Sequence, residues 1–265
     1  MKNNTLRLLS LSATCLLLSP FAVAQEPPRE NQLLLGGGVA GGPRYAGSNQ
    51  NMLAPLLLID YSHHSGLFAS TLRGLGYGGQ VGPVSYSAAL GYRRGREDHD
   101  NENSWASTGG DELRGMGEIK GNASGIVNVG FAPIRWLEFN VGADVPLSQR
   151  QNGRKLNAGV TGRLLDSPDD KLTLGVTTSF GDTKYNQTYY GVTAEQARTS
   201  QFRAYRMKAG LNEVSAMLTW QHKLGAKWSV TSMVGATTLL KEASKSPLVQ
   251  RRTGPVAAVY ASYNY

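Results

Sequence analysis

The chain has 265 residues, 27 Lys and Arg against 19 Asp and Glu for a formal net charge of +8, 32 glycines and one cysteine. A single cysteine excludes a disulfide framework and a thiolate metal site, and basic residues scattered without a stripe of interleaved aromatics give a nucleic-acid partner no footing. After the first two dozen residues no segment approaches the roughly 20 apolar residues that a spanning helix needs, which leaves the closed β-barrel, apolar only at alternate strand positions, as the way such a chain crosses a membrane.

Residues 1–24 read as a signal peptide. Lys2 and Arg7 form a positive n-region, residues 8–18 an apolar core, and Ala22, Val23 and Ala24 a small-x-small site with cleavage expected between Ala24 and Gln25. Cys15 sits inside the apolar core, so lipidation there is not expected, and the exported chain from Gln25 onward carries no cysteine and a net charge of +6. Residues 25–265 read as one β-barrel domain, opening on a short extended lead-in at 25–32.

Strand candidates follow in order: residues 33–41, 52–61, 67–77 and 84–93, then 126–131 extended backward to Glu118. The period is clearest in residues 136–148, where Leu137, Phe139, Val141, Ala143, Val145 and Leu147 oppose Glu138, Asn140, Gly142, Asp144 and Ser148. Residues 155–165 and 171–181 repeat it, and 214–224 and 227–240 each carry a tryptophan near one end. In the last strand, 255–265, Ala257, Val259, Ala261, Tyr263 and Tyr265 share one face and Val256, Ala258, Tyr260, Ser262 and Asn264 the other. Trp136, Tyr45, Tyr185, Tyr189 and Tyr190 lie at strand boundaries suited to an aromatic girdle.

These candidates number eleven, and a barrel with both termini on one side needs an even number. Splitting residues 113–132 gives twelve, the expected count; removing one early candidate as a plug or lid gives ten. The fold class is therefore all-β, a transmembrane antiparallel β-barrel. Short connections near residues 132–135, 167–170 and 225–226 alternate with long polar ones at 95–111, 182–206 and 241–253, as periplasmic turns alternate with external loops. The terminal Tyr263 and Tyr265 resemble the assembly signal that the barrel-assembly machinery reads on outer-membrane barrels.

Residues 43–48 (PRYAGS) and 53–61 (LAPLLLIDY) form a specific combination, joined by 68–70 (FAS), 73–77 (RGLGY), 90–96 (LGYRRGR), 113–117 (LRGMG) and 246–249 (SPLV). Together they resemble the MipA/OmpV family, named for the MltA-interacting protein. Asn49 and Gln50 depart from its usual acidic pair, and Tyr265 from its commoner terminal phenylalanine. The resemblance implies an outer-membrane barrel in outer-membrane lipid, without cofactor, acting as a scaffold between a lytic transglycosylase and a murein synthase. Its other implied roles are a porin-like channel and a surface adhesin.

An enzyme is not expected. Of the four histidines, His63 and His64 lie with Ser62 and Ser65 in a generic turn, and His99 lies among Glu97, Asp98, Asp100 and Glu102, a set that reads as solvated loop more readily than as an oxygen-ligand cation site. No catalytic, cofactor or metal residue is assigned. Inward candidates Glu118, Lys120, Glu138, Asp144, Lys155, Arg163 and Lys171 carry both signs, so they either line a pore or neutralise one another as a plug.

Overall fold

The structure is a computed structural model describing residues 30–100 and 108–265; the expected cleavage site and Glu102 lie outside these. The strands are β1 (Gln32–Pro43), β2 (Asn51–Ser62), β3 (Leu67–Ser70), β4 (Gly74–Val81), β5 (Val84–Arg93), β6 (Asn122–Ile134), β7 (Leu137–Pro146), β8 (Lys155–Asp166), β9 (Asp170–Gly181), β10 (Gly210–Lys223), β11 (Trp228–Leu239) and β12 (Thr253–Asn264). Each pairs antiparallel with its sequence neighbours, and β1 pairs with β12 from Leu34↔Asn264 to Gly41↔Ala257, closing the barrel. Among the described residues no helix is long and apolar enough to cross a membrane, which says nothing of strands.

Among the described residues twelve strands are present, but the twelfth does not come from residues 113–132. Residues 67–77 instead fold back at Thr71–Arg73 into β3 and β4, because Gly74 takes φ +84 and lies where a Cβ would meet Leu90 O at 2.1 Å. β6 begins only at Asn122, so Glu118 and Lys120 belong to a loop and not to the lumen wall.

The alternation read from the sequence holds around most of the wall. Phe139, Val141 and Val145 of β7, Leu156 and Leu164 of β8 and Leu174, Val176 and Phe180 of β9 are exposed on the outside. Their neighbours Asp144, Lys155 and Ser179 point into the lumen, where they bond Arg93, Glu213 and Asn212 respectively. β2 departs from the pattern. Leu53, Leu57 and Ile59 are exposed outside, yet Ala54, Leu56 and Leu58 are buried inside, so both faces are apolar. Against them lie Ala40 of β1 and Ala258 of β12, packed with Ala54, Met52 and Met233. The lumen is therefore apolar along β12, β1 and β2 and polar along β7 to β10.

At the end with short turns, Trp136, Trp220, Trp228 and Tyr265 are exposed. Trp228 meets Tyr263 edge-on at 5.1 Å and Tyr263 meets Tyr265 at 4.8 Å, a girdle of the kind that seats at headgroup level. The tyrosines at the other end correct the sequence reading. Tyr45, Tyr185 and Tyr190 are buried in the loops rather than set in a girdle.

The long loops fold together into a lid. One cluster joins Tyr45, Leu113, Met116, Val192 and Leu248, with Phe202 packed on it; a second joins Tyr185, Tyr190, Met207, Leu239 and Ala243. Residues 182–209 contribute helices α1 (Thr183–Tyr190) and α2 (Gln196–Thr199), α1 being started by Asp182, whose side chain accepts from Tyr185 N at 2.7 Å. Backbone bonds from Gln250 N (2.8 Å) and Arg251 N (2.9 Å) to Gly47 O tie the first loop to the last.

Gly115 permits the closest approach between two loops, with φ +85 and its missing Cβ 1.9 Å from Thr199 O. Gly115→Ala is expected to part residues 111–121 from 196–202. Limited proteolysis should then cut the lid several-fold faster while the strands stay protected.

Candidate functional site

The centre of interest is the mouth of the lumen beneath the lid, where charged side chains from the wall meet the loops. Lys155 of β8 and Glu213 of β10 pair at 2.8 Å with each side chain about one-tenth exposed. A bulge between Leu211 and Glu213 sets both Asn212 and Glu213 in buried positions, which strict alternation would forbid. Ser179 bonds Asn212 and also Glu213 at 3.3 Å, and Asn212 Nδ2 donates to Asn186 Oδ1 of α1 at 2.9 Å. Asn186 Nδ2 in turn donates to Lys208 O at 2.8 Å. The network therefore runs from the wall through α1 into the rest of the 182–209 loop.

A second anchor lies alongside. Arg93 at the end of β5 grips Asp144 through Nε at 3.0 Å and Nη2 at 2.7 Å, donates to Gly153 O at 2.9 Å, and stands 5.2 Å from the Tyr185 ring. A third, Arg73, grips Asp60 at 3.0 and 2.5 Å and lies over Phe68. Asp144 and Lys155 are thus paired with opposite charges and fasten loops, as the plug alternative expects. Of the remaining inward candidates, Arg163 reaches Asp166 at 3.7 Å. Sequence reading stopped one residue short of Glu213 and missed Asn186 and Asn212; an acidic residue heading an apolar strand was the available signal.

Arg96, in the connection after β5, is buried within the lid. Its Nη1 donates to Tyr189 O at 3.2 Å. Burial pulls the guanidinium down to about 10, still charged at neutral pH, and burial pushes the neighbouring Tyr45 phenol up to about 12.

The histidines form no catalytic constellation among the described residues. His63 bonds Ser65 at 2.8 Å and His64 bonds Asn31 at 3.1 Å in an exposed turn, while His222 shares Asp170 with Trp220 at the turn end. His99 differs from its sequence reading in its partners. Asp100 leaves it for Arg44, and Glu118 joins Asp98 and His99, their ligand atoms within 4.8 Å of one another. One imidazole and two carboxylates suit a divalent transition metal; His99 and Glu118 are exposed and Asp98 is half-buried, and exposed acidic groups commonly stand solvated without an ion.

Residues 35–265 match the family described as MltA-interacting protein MipA. The chain belongs to this family. In shape, this MipA-family barrel is similar to the COG4313 outer-membrane channel of Pseudomonas putida F1, at 9% identity over 91% of this chain and 97% of that one with a TM-score of 0.46. It is similar also to the NanC porin (9% identity, 87% and 98% covered, TM-score 0.39) and to OmpT of Vibrio cholerae (9%, 89% and 97%, TM-score 0.36). A comparison with curated proteins finds no match.

Removing one member of the Lys155–Glu213 pair leaves an uncompensated charge in the mouth. Lys155→Met is expected to cost about 3–5 kcal/mol, and Lys155→Met with Glu213→Gln to recover most of it, read as urea midpoints in detergent micelles. In the lid, the hydrogen bond to Asp98 raises His99 above its ordinary value and lowers Asp98 below its own. The histidine's contribution is full below its ordinary value and fades as pH rises through the raised one. That of Asp98 is full above the ordinary carboxylate value and fades as pH falls through the lowered one. The NMR titration midpoint of His99 should fall on Asp98→Asn.

Proposed function

We propose that this MipA-family protein is an outer-membrane interaction protein, an anchor for murein-remodelling enzymes, and that it is not an open channel. The observation that carries the reading is the packed lid. Two apolar clusters and a network of buried side chains bind residues 44–50, 94–100, 108–121, 182–209 and 240–252 across the barrel mouth. A conducting pore instead needs a continuous wet path. The family's name supports a lytic transglycosylase as partner, and a murein synthase completes the scaffold.

With the long loops outside the cell, the partner meets the turn end. Those turns are short, against the roughly 800 Å² per partner of a stable interface, so the segment from Gln25 to Gln32 adds to the contact. Export by cleavage between Ala24 and Gln25, and recognition of Tyr263 and Tyr265 by the barrel-assembly machinery, belong to the same proposal. Tyr263 pairs with Leu35 across the closing seam and with Trp228 of β11 on its other side. Deleting residues 263–265 is therefore expected to reduce the outer-membrane yield several-fold.

Two measurements separate the readings. In planar bilayers the intact protein is expected to be silent or nearly so, and a variant lacking residues 183–206 to conduct. Site-specific crosslinking in cells from the turns at residues 63–66 and 224–227 is expected to capture a lytic transglycosylase. Crosslinks confined to residues 94–121 and 240–252, with no murein enzyme recovered, would replace the anchor with a surface adhesin. Steady large conductance of the intact protein would replace it with a channel.

A further inference from the structure

Charge is unevenly placed around the barrel mouth. The connections 147–154, 182–209 and 240–252, which join the consecutive strands from β7 to β12 at the lid end, carry eleven Lys and Arg against three Asp and Glu. The connection 94–121, between β5 and β6, has the reverse balance of four against seven. At the far end of the barrel, the turns 63–66, 82–83, 135–136, 167–169 and 224–227 hold two cations and one acid among them. The positive surplus is therefore a property of one side of one rim.

Little on that side neutralises it. Elsewhere the protein pairs its charges, Arg44 with Asp100, Arg93 with Asp144 and Lys155 with Glu213. Among the described residues, one of the eleven rim cations stands in an ion pair, Lys245 with Glu242 at 2.9 Å. Asp182 spends its carboxylate on Tyr185 N. Arg150, Arg154, Lys184, Arg206 and Lys208 are exposed.

These cations stand directly over the outer apolar band. Leu156 of β8, Phe180 of β9 and Leu211 of β10 lie opposite one another in register and are exposed on the outside. Beyond them the β8–β9 ladder continues one step, Asp182 N donating to Arg154 O at 3.0 Å. Lys155 points inward to Glu213, so alternation turns Arg154 outward with Leu156, about 7 Å further toward the lid at ~3.4 Å per residue. The segments holding Arg150 and Lys208 are both tied to α1, whose Thr188 donates to Gln151 O at 3.0 Å and whose Asn186 donates to Lys208 O at 2.8 Å. Their charges are thus presented from a fixed backbone. Cations set just above hydrocarbon-facing side chains lie at the level of lipid headgroups, where a phosphate meets them with complementary charge. A soluble polyanion would gain nothing from Leu156, Phe180 and Leu211.

We propose that the rim over β7 to β12 is a docking surface for the phosphate groups of a membrane lipid, whose acyl chains lie on the outer band at Leu156, Phe180 and Leu211. The site is at the opposite end of the barrel from the murein-facing turns and does not depend on what binds there.

The test uses the refolded full chain in dodecyl maltoside micelles, titrated with a fluorescent lipid A, a disaccharide lipid bearing two phosphates, and read by anisotropy. Each variant is first shown to keep the parent's difference in gel migration between unboiled and boiled protein, so that a lost fold is not scored as lost binding. The parent should bind saturably. Arg150→Gln, Arg154→Gln and Lys208→Gln together should weaken binding roughly tenfold or more, and Arg150→Lys, Arg154→Lys and Lys208→Arg together should restore it. Lipid A stripped of its phosphates should bind the parent weakly, by a similar factor.

Equal binding of the stripped lipid would overturn the proposal, because the apolar band alone would then explain the contact. An equal loss on Arg135→Gln, Lys223→Gln and Lys227→Gln at the turn end would overturn it as well, since the effect would follow net charge and not the rim. A sulfated oligosaccharide without acyl chains that bound the parent as tightly as lipid A would make a soluble polyanion, not a lipid, the occupant.

Discussion

The antiparallel seam between β1 and β12 is the constraint on which the rest depends. In hydrocarbon there is no water to satisfy a bare strand edge, so the chain must bring its first strand to its last before the wall is stable. Eight paired positions, Leu34↔Asn264 to Gly41↔Ala257, do this. The seam is unusually lean. β1 is rich in glycine, and at Gly38 a Cβ would sit 2.0 Å from Val259 O, so the two backbones close at a distance that side chains would prevent. Ala40 and Ala258 continue the same economy on the inner face.

Closure at the seam brings the loops next to each other, and the lid follows from that proximity. Its residues come from four connections far apart in sequence, and none of these has an apolar face large enough to fold alone. Tyr45 finds Leu248 only because β1 and β12 are neighbours: its hydroxyl donates to Leu248 O at 3.3 Å, across 203 residues of chain. Ser246 does likewise, donating to Tyr190 O at 2.6 Å. Below the lid the charges of Arg93 and Asp144 and of Lys155 and Glu213 are paired, and pairing is what makes their burial tolerable.

Much of the wall was legible in the sequence because a two-residue period leaves a direct imprint on it. β7, β8 and β9 were readable to within a residue or two, and their outer faces are those that alternation assigns. Where the reading failed, a tertiary relation had displaced the local one. The β3–β4 turn has no strong turn signature at Thr71–Leu72–Arg73, and the residue that permits it, Gly74, is one among many glycines. Tyr45, Tyr185 and Tyr190 look like girdle residues because amphipathic aromatics suit a membrane interface and a buried loop core equally well. Arg96 looks solvated because nothing nearby in sequence announces the tyrosines that surround it. The bulge at Glu213 was hidden for a similar reason, since a single extra residue leaves the apolar rhythm on either side intact.

The lid has a consequence for engineering and for surveillance of the cell surface. Exposed connections of barrels are ordinarily permissive, accepting inserted tags or foreign epitopes because nothing rests on them. Here the segment around Gly115 touches the Thr199 carbonyl, and the segment around Gly47 receives two amides from residues 250 and 251. An insertion at either place would disturb segments brought from other parts of the chain. An antibody raised against an isolated loop peptide would therefore recognise a conformation that the folded surface does not display, so a useful immunogen must present the four segments together on the closed barrel.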